Sequence, residues 1–196
     1  VMEFDGYSTT LSVTDAYDDH QLMYDCKAPV SVEYFSMCNR LVSRNVFERN
    51  VILPFEGVNM WDDVGLCTRV RFYTRGTAVI NKGFYHYNRQ NEQSTTRRPL
   101  LERAREQELC ISCIEDFFRK EDSHDKYRLF LSYLRLVAAE DLFYYEPDIW
   151  RQKFEGLKDD LWKLRKLYTT KQLFKFYMLG CGGIIGKLVW KRFWKR

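Results

Sequence analysis

Apolar residues change their spacing near residue 97, and the change divides the chain into two halves of different character. Upstream the runs are short. Val1 to Tyr7 sets Val1 or Met2, Phe4 and Tyr7 between polar positions and predicts a short strand. Ser8 to Lys27 is polar and predicts an irregular loop. Its acids Asp15, Asp18 and Asp19 lack the spacing and glycine of a calcium loop. Val32 to Arg44 gathers Tyr34, Phe35, Met37, Leu41 and Val42 around Cys38-Asn39-Arg40, and a short helix is expected over Arg44 to Asn50. After a turn at Pro54-Phe55-Glu56-Gly57, the residues Val64, Cys67, Val70 and Tyr73 recur at near-helical spacing, with Gly76 as the stop. Asn59 is the expected N-cap of that helix and Asp62 its capping-box-like partner. Asp62 and Asp63 then occupy a first turn, where the helix dipole favours charged carboxylates. Thr77 to Tyr87, β-branched first and aromatic later, predicts a strand with a bulge or turn at Gly83.

Downstream of Pro99 the period becomes helical. Leu100 to Lys120 carries Leu109, Cys113 and Phe117 on one face, with Cys110 and Ile114 beside it. Lys126 to Tyr145 carries Phe130, Tyr133, Leu134 and Val137, and Asp148 to Tyr168 carries the stripe Leu157, Leu161, Leu164, Tyr168. The pattern therefore predicts an α/β part over residues 1–97, a helical extension over 98–169, and a tail over 170–196.

Charge changes this picture only at the end. Of the 31 basic residues, ten lie from Leu161 onward together with none of the 27 acids. The rest of the chain thus carries 21 basic against 27 acidic residues, a net of −6, which argues against a nucleic-acid-binding body. The tail interleaves Phe174, Phe176, Tyr177, Trp190, Phe193 and Trp194 with cations, and its uncharged run Phe176 to Gly186 is 11 residues long. That is short of the ~20 needed to cross a bilayer. It suits contact of residues 171–196 with an anionic membrane surface, or a terminal helix packed on the helical part. Six cysteines scattered through apolar contexts point to a reducing compartment. Cys110 and Cys113 form Cys-x-x-Cys within a predicted helix, without a second pair for zinc, and read as core residues.

Four segments stand in a particular order: Cys38-Asn39-Arg40-Leu41-Val42-Ser43-Arg44, Leu53-Pro54-Phe55-Glu56-Gly57, Trp61-Asp62-Asp63, and Lys82-Gly83-Phe84-Tyr85-His86-Tyr87-Asn88-Arg89, with Ser94-Thr95 behind. Over roughly Val32 to Thr96 this set resembles the second half of a family 2 glycosyltransferase of GT-A fold, of the kind that builds bacterial surface polysaccharides. The resemblance implies an acceptor-side part of a Rossmann-like domain, cytoplasmic and peripheral at the inner face of the membrane. It implies transfer of a sugar from a nucleotide-sugar donor to a saccharide or lipid-linked acceptor.

Under that resemblance Asp63 is the general base that takes the acceptor's proton, and Asp62 stands where the family usually has Glu. Trp61 and Asn39 are implied acceptor contacts, Trp61 by stacking on a sugar ring. Its alternative is an aromatic packed under the helix start. Arg89, Ser94 and Thr95 are candidate diphosphate contacts, the guanidinium matching phosphate oxygens, and the alternative is a solvated loop. His86 is a candidate ligand for the family's divalent metal, Mn or Mg, though a lone histidine in an aromatic strand is more often packed. The family's Asp-x-Asp metal motif does not occur in these 196 residues. The chain is accordingly expected to be the C-terminal portion of a longer enzyme, inactive alone. A non-catalytic helical interaction module or membrane-surface adaptor is the alternative reading.

Overall fold

The computed structural model describes residues 23–24, 35–74, 76–77, 100–145, 151–152 and 155–181. Their regular structure is helical: α1 (Arg44–Asn50), α2 (Asp62–Tyr73), α3 (Leu100–Lys120), α4 (His124–Tyr145), α5 (Lys158–Leu164), a 3-10 turn (Arg165–Leu167) and α6 (Thr170–Cys181). An isolated bridge at Thr77 is the one β-type feature among the described residues. The expected α/β, GT-A architecture is thus overturned for this part of the molecule. Alternation along a short run specifies a strand only when another strand is there to pair with it. β-propensity is chiefly a measure of that context. The predicted strands at Val1 to Tyr7 and Thr77 to Tyr87, apart from Thr77, lie outside the described residues.

The α3–α4 hairpin organises the rest. Its core is built from Ile111, Ile114 and Phe118 of α3 against Tyr127, Phe130, Leu131 and Leu134 of α4, all essentially without exposure. Phe118 and Tyr127 stack with ring centroids 4.6 Å apart across the turn. That turn closes through Asp122 at φ 50°, where the N–H of Ser123 donates to the Phe118 carbonyl at 2.8 Å. Glu115 of α3 then gathers partners from both helices: the Arg119 guanidinium at 2.6 Å, the His124 ring at 3.1 Å and Arg135.

The buried face of α3 is not the one its sequence suggested. Leu109 is exposed, Cys113 is half-buried, and burial centres on Cys110, Ile111, Ile114 and Phe118. Two adjacent apolar stripes were available, and α3 turns toward the larger neighbouring surface, that of α4. Met23 and Tyr24 correct a second expectation. They are helical within the supposed polar loop, and Met23 is wholly buried in the same core.

The expected helix from Asp148 to Tyr168 is interrupted. Leu157, Leu161 and Leu164 are buried as predicted. The helix nevertheless tightens into the 3-10 turn and stops at Tyr168, which is extended (φ −117°, ψ 146°). Tyr168 packs edge-on against Phe176 at 5.3 Å. Thr169 and Gln172 form a capping box, with Gln172 N–H donating to Thr169 Oγ1 at 3.2 Å and Thr169 N–H to Gln172 Oε1 at 2.9 Å. This Thr-x-x-Gln signal was present in the sequence and starts α6.

A buried acid fastens α5 to α4. Asp160, 2% exposed, accepts both Arg128 guanidinium nitrogens at 3.0 Å and the Ser132 hydroxyl at 2.7 Å. Removing the carboxylate leaves Ser132 buried and without this acceptor, but Arg128 is half-exposed and regains water. Asp160→Ala is therefore expected to lower unfolding stability by roughly 2–3 kcal/mol in urea denaturation.

Candidate functional site

The site is assembled on α2, which is buried on two sides. Asp63, Cys67 and Arg71 follow one another at i, i+4 and i+8 and therefore share a face. That face meets the segment Phe35 to Arg40. Met37 Sδ lies 3.4 Å from Cys67 Sγ, and the Arg71 guanidinium stands 5.5 Å from the centre of the Phe35 ring. Arg40, whose Nε donates to the Ser36 carbonyl at 3.1 Å, is directed at both Asp63 and Cys67.

Asp63 is half-buried at the open end of this face and Asp62 is exposed. Burial pushes the Asp63 carboxyl above its ordinary value, and the neighbouring Asp62 adds to the push. Hydrogen bonds from the Met37 backbone and the Ser36 side chain, with the attraction of Arg40, oppose the shift without cancelling it. Cys67 lies deeper, and burial raises its thiol to about 12, so it stays protonated and inert.

The opposite side of α2 faces α3. Gly65 is needed there: a Cβ would stand 2.8 and 2.9 Å from two Phe55 ring carbons and 3.4 Å from Cys110 Sγ. The Arg69 guanidinium covers the Phe55 ring at 3.8 Å, and Arg69 Nε donates to the Gly65 carbonyl at 3.0 Å. Cys110 is buried with its thiol raised to about 12 by that burial, and its Sγ donates to the Trp61 carbonyl at 3.2 Å. Cys110 is thus a core residue, as its helical setting predicts, and Cys113 is half-buried beside it.

The start of α2 differs from expectation. Trp61, not Asn59, is the N-cap residue, at φ 70° and with no side-chain cap. The backbone N–H groups of Asn59 and Met60 instead donate to Glu106 Oε2 of α3, at 3.2 and 2.5 Å. A carboxylate from a distant helix thus fastens the loop that leads into α2, while the first turn itself has no side-chain cap. The result turns Trp61 inward, half-buried and packed against the core.

Of the residues implied by resemblance, the structure places Asp62, Asp63 and Trp61 at the head of α2 and Asn39 in the adjoining segment, next to Arg40. His86, Arg89, Ser94 and Thr95 lie outside the described residues. Ser36, Arg40 and Glu106 were not singled out as site residues, since each acts through a partner distant in sequence or through the backbone. Among the described residues no three His, Cys, Asp or Glu side chains gather where they could hold a metal ion. Comparison with protein families, with curated proteins and with solved structures finds no match to this chain.

Gly65→Ala should destabilise the protein by about 1–2 kcal/mol. The forced displacement of Phe55, held under Arg69, costs more than the ~1 kcal/mol of helix propensity that alanine recovers. Thermal unfolding followed by circular dichroism measures it, and an increase in Tm would show that the Phe55 contact is soft.

Proposed function

We propose that this chain belongs to a glycosyltransferase and carries the part of it that activates the acceptor. The activity would move a sugar from a nucleotide-sugar donor to a saccharide or lipid-linked hydroxyl in surface-polysaccharide synthesis. The reading rests on residues and not on the fold expected with them. The observation that carries it is the meeting of two of the ordered motifs at one carboxylate: Asp63, from Trp61-Asp62-Asp63, stands against the segment containing Cys38-Asn39-Arg40.

In this reading the Asp63 carboxylate takes the proton of the acceptor hydroxyl while the acceptor oxygen bonds to the anomeric carbon. The bond from that carbon to the nucleotide diphosphate breaks, and the diphosphate leaves with the electron pair. A carboxyl raised by burial is a stronger base than an exposed one, and Met37, Ser36 and Arg40 orient it. Asp62 sustains the shift through its charge.

A second reading is a non-catalytic helical interaction module. What favours it is that the same hydrogen bonds to Asp63 would serve to fasten α2 to the segment before α1. The substitution Asp63→Asn separates the two. In the full-length protein, with a panel of nucleotide sugars and a membrane extract as acceptor source, sugar transfer should fall by roughly 10²–10⁴-fold with the helical spectrum unchanged. Turnover near that of the wild type would refute the base. The wild-type rate should also decline on the acid side with a midpoint above 3.8, because the raised carboxyl is protonated, and useless as a base, earlier in an acid titration.

A further inference from the structure

Beyond α4 the described chain presents a surface that sugar transfer does not use. Lys158, Asp159, Trp162, Lys163 and Tyr177 line an open groove of about 550 Å³ between α5 and α6. Trp162 is 60% exposed, which is unusual for so large an apolar side chain. The Arg165 guanidinium stands 4.6 Å from the centre of its ring and donates to its carbonyl at 2.8 Å. Lys171, Phe174 and Tyr177 follow at three-residue intervals on α6 and so share one side of it, the side whose Tyr177 reaches the groove. Phe174 is 50% exposed and Leu167, in the connecting turn, 39%.

The charge on this surface is of one sign almost throughout. Lys163, Arg165, Lys166 and Lys171 are exposed here, Lys163 with Asp160 at 3.5 Å, and no acid lies between Leu161 and Cys181. Of the acids just before, Asp160 is buried under Arg128, Glu155 pairs with Lys158 at 2.6 Å, and Asp159 alone faces the groove. Exposed tryptophan and phenylalanine set among lysine and arginine match the boundary layer of an anionic bilayer. The ring sits at headgroup depth there, and the cations meet phosphate. No helix among the described residues is long and apolar enough to cross a membrane. The geometry therefore points to contact along the surface.

We propose that the face formed by α5, the 3-10 turn and the first turns of α6 is a docking surface for an anionic lipid bilayer, with Trp162 as its inserted side chain. Membrane contact then begins at Trp162 and is not confined to residues 171–196. The inference is independent of sugar transfer, since it uses none of the residues around Asp63.

Vesicle co-sedimentation of the full chain tests it, comparing mixed phosphatidylglycerol–phosphatidylcholine vesicles with phosphatidylcholine alone. Each surface cation contributes about fivefold in affinity for anionic lipid. The variant W162A/K166A/K171A should therefore bind the anionic vesicles about 25-fold or more weakly than wild type, with its helical spectrum retained. Basic residues after Cys181 add to both proteins alike, so the ratio isolates this face. Should the triple variant lose helix, K166E on an exposed side chain carries the same prediction, a loss of about fivefold or more. Equal binding of variant and wild type overturns the proposal. So does wild-type binding that ignores phosphatidylglycerol, or that goes to a soluble acidic polysaccharide and not to vesicles.

Discussion

Helix α2 has to be buried on two sides while carrying charge, and that constraint shapes the molecule around it. Thr68, Arg69 and Arg71 are buried along with Val64, Cys67 and Val70. A buried guanidinium is tolerable only where it finds aromatic faces or carbonyls. Phe55 and the Gly65 carbonyl serve Arg69, and the Phe35 ring lies by Arg71. Phe55 comes from a loop and Phe35 is a helical residue at the head of the segment before α1, so the stretches on both sides of α1 pack against the charges of α2. Gly65 completes the arrangement, because any larger residue would push Phe55 off the helix that it covers.

The same constraint sets the chemistry of Asp63. It stands one turn before Cys67, where the buried face opens, and so it is desolvated enough to be raised yet still reached by Arg40 and Ser36. One residue earlier, Asp62 points to solvent. Of two adjacent carboxylates in one first turn, only Asp63 is turned into the partly desolvated face, and burial there raises its proton affinity. The α5–α6 surface is a contrasting case. Its cations are left outside the core and its aromatics remain exposed, which suits a partner larger than any side chain.

Much of the helical content was legible. The limits of α1 and α3 agree with their periodicity and flanking signals, and α4 begins two residues earlier than its apolar pattern did. The Leu157, Leu161, Leu164 stripe was correctly assigned to the interior. What failed was non-local. The entry to α2 is held by Glu106, 46 residues away from Met60. Which of two stripes α3 buries depended on α4, and the described residues are helical where an α/β architecture was expected. Tyr168 fitted the helical stripe by spacing, but Thr169 and Gln172 capped a new helix immediately after it. There a local signal outweighed a continued periodicity.

The sequence by itself determined where helices form, because 3.6-residue spacing and capping residues act within a few positions of one another. It also determined the separation of charge, with acids upstream and cations after Leu161. It put Asp62 and Asp63 side by side without distinguishing them. Only the tertiary structure decided that Asp63 is the half-buried one, that Trp61 turns toward the core, and that Trp162 stays out of it. Burial is a property of what packs against a residue, and for each of these the partner is a segment that local pattern does not name.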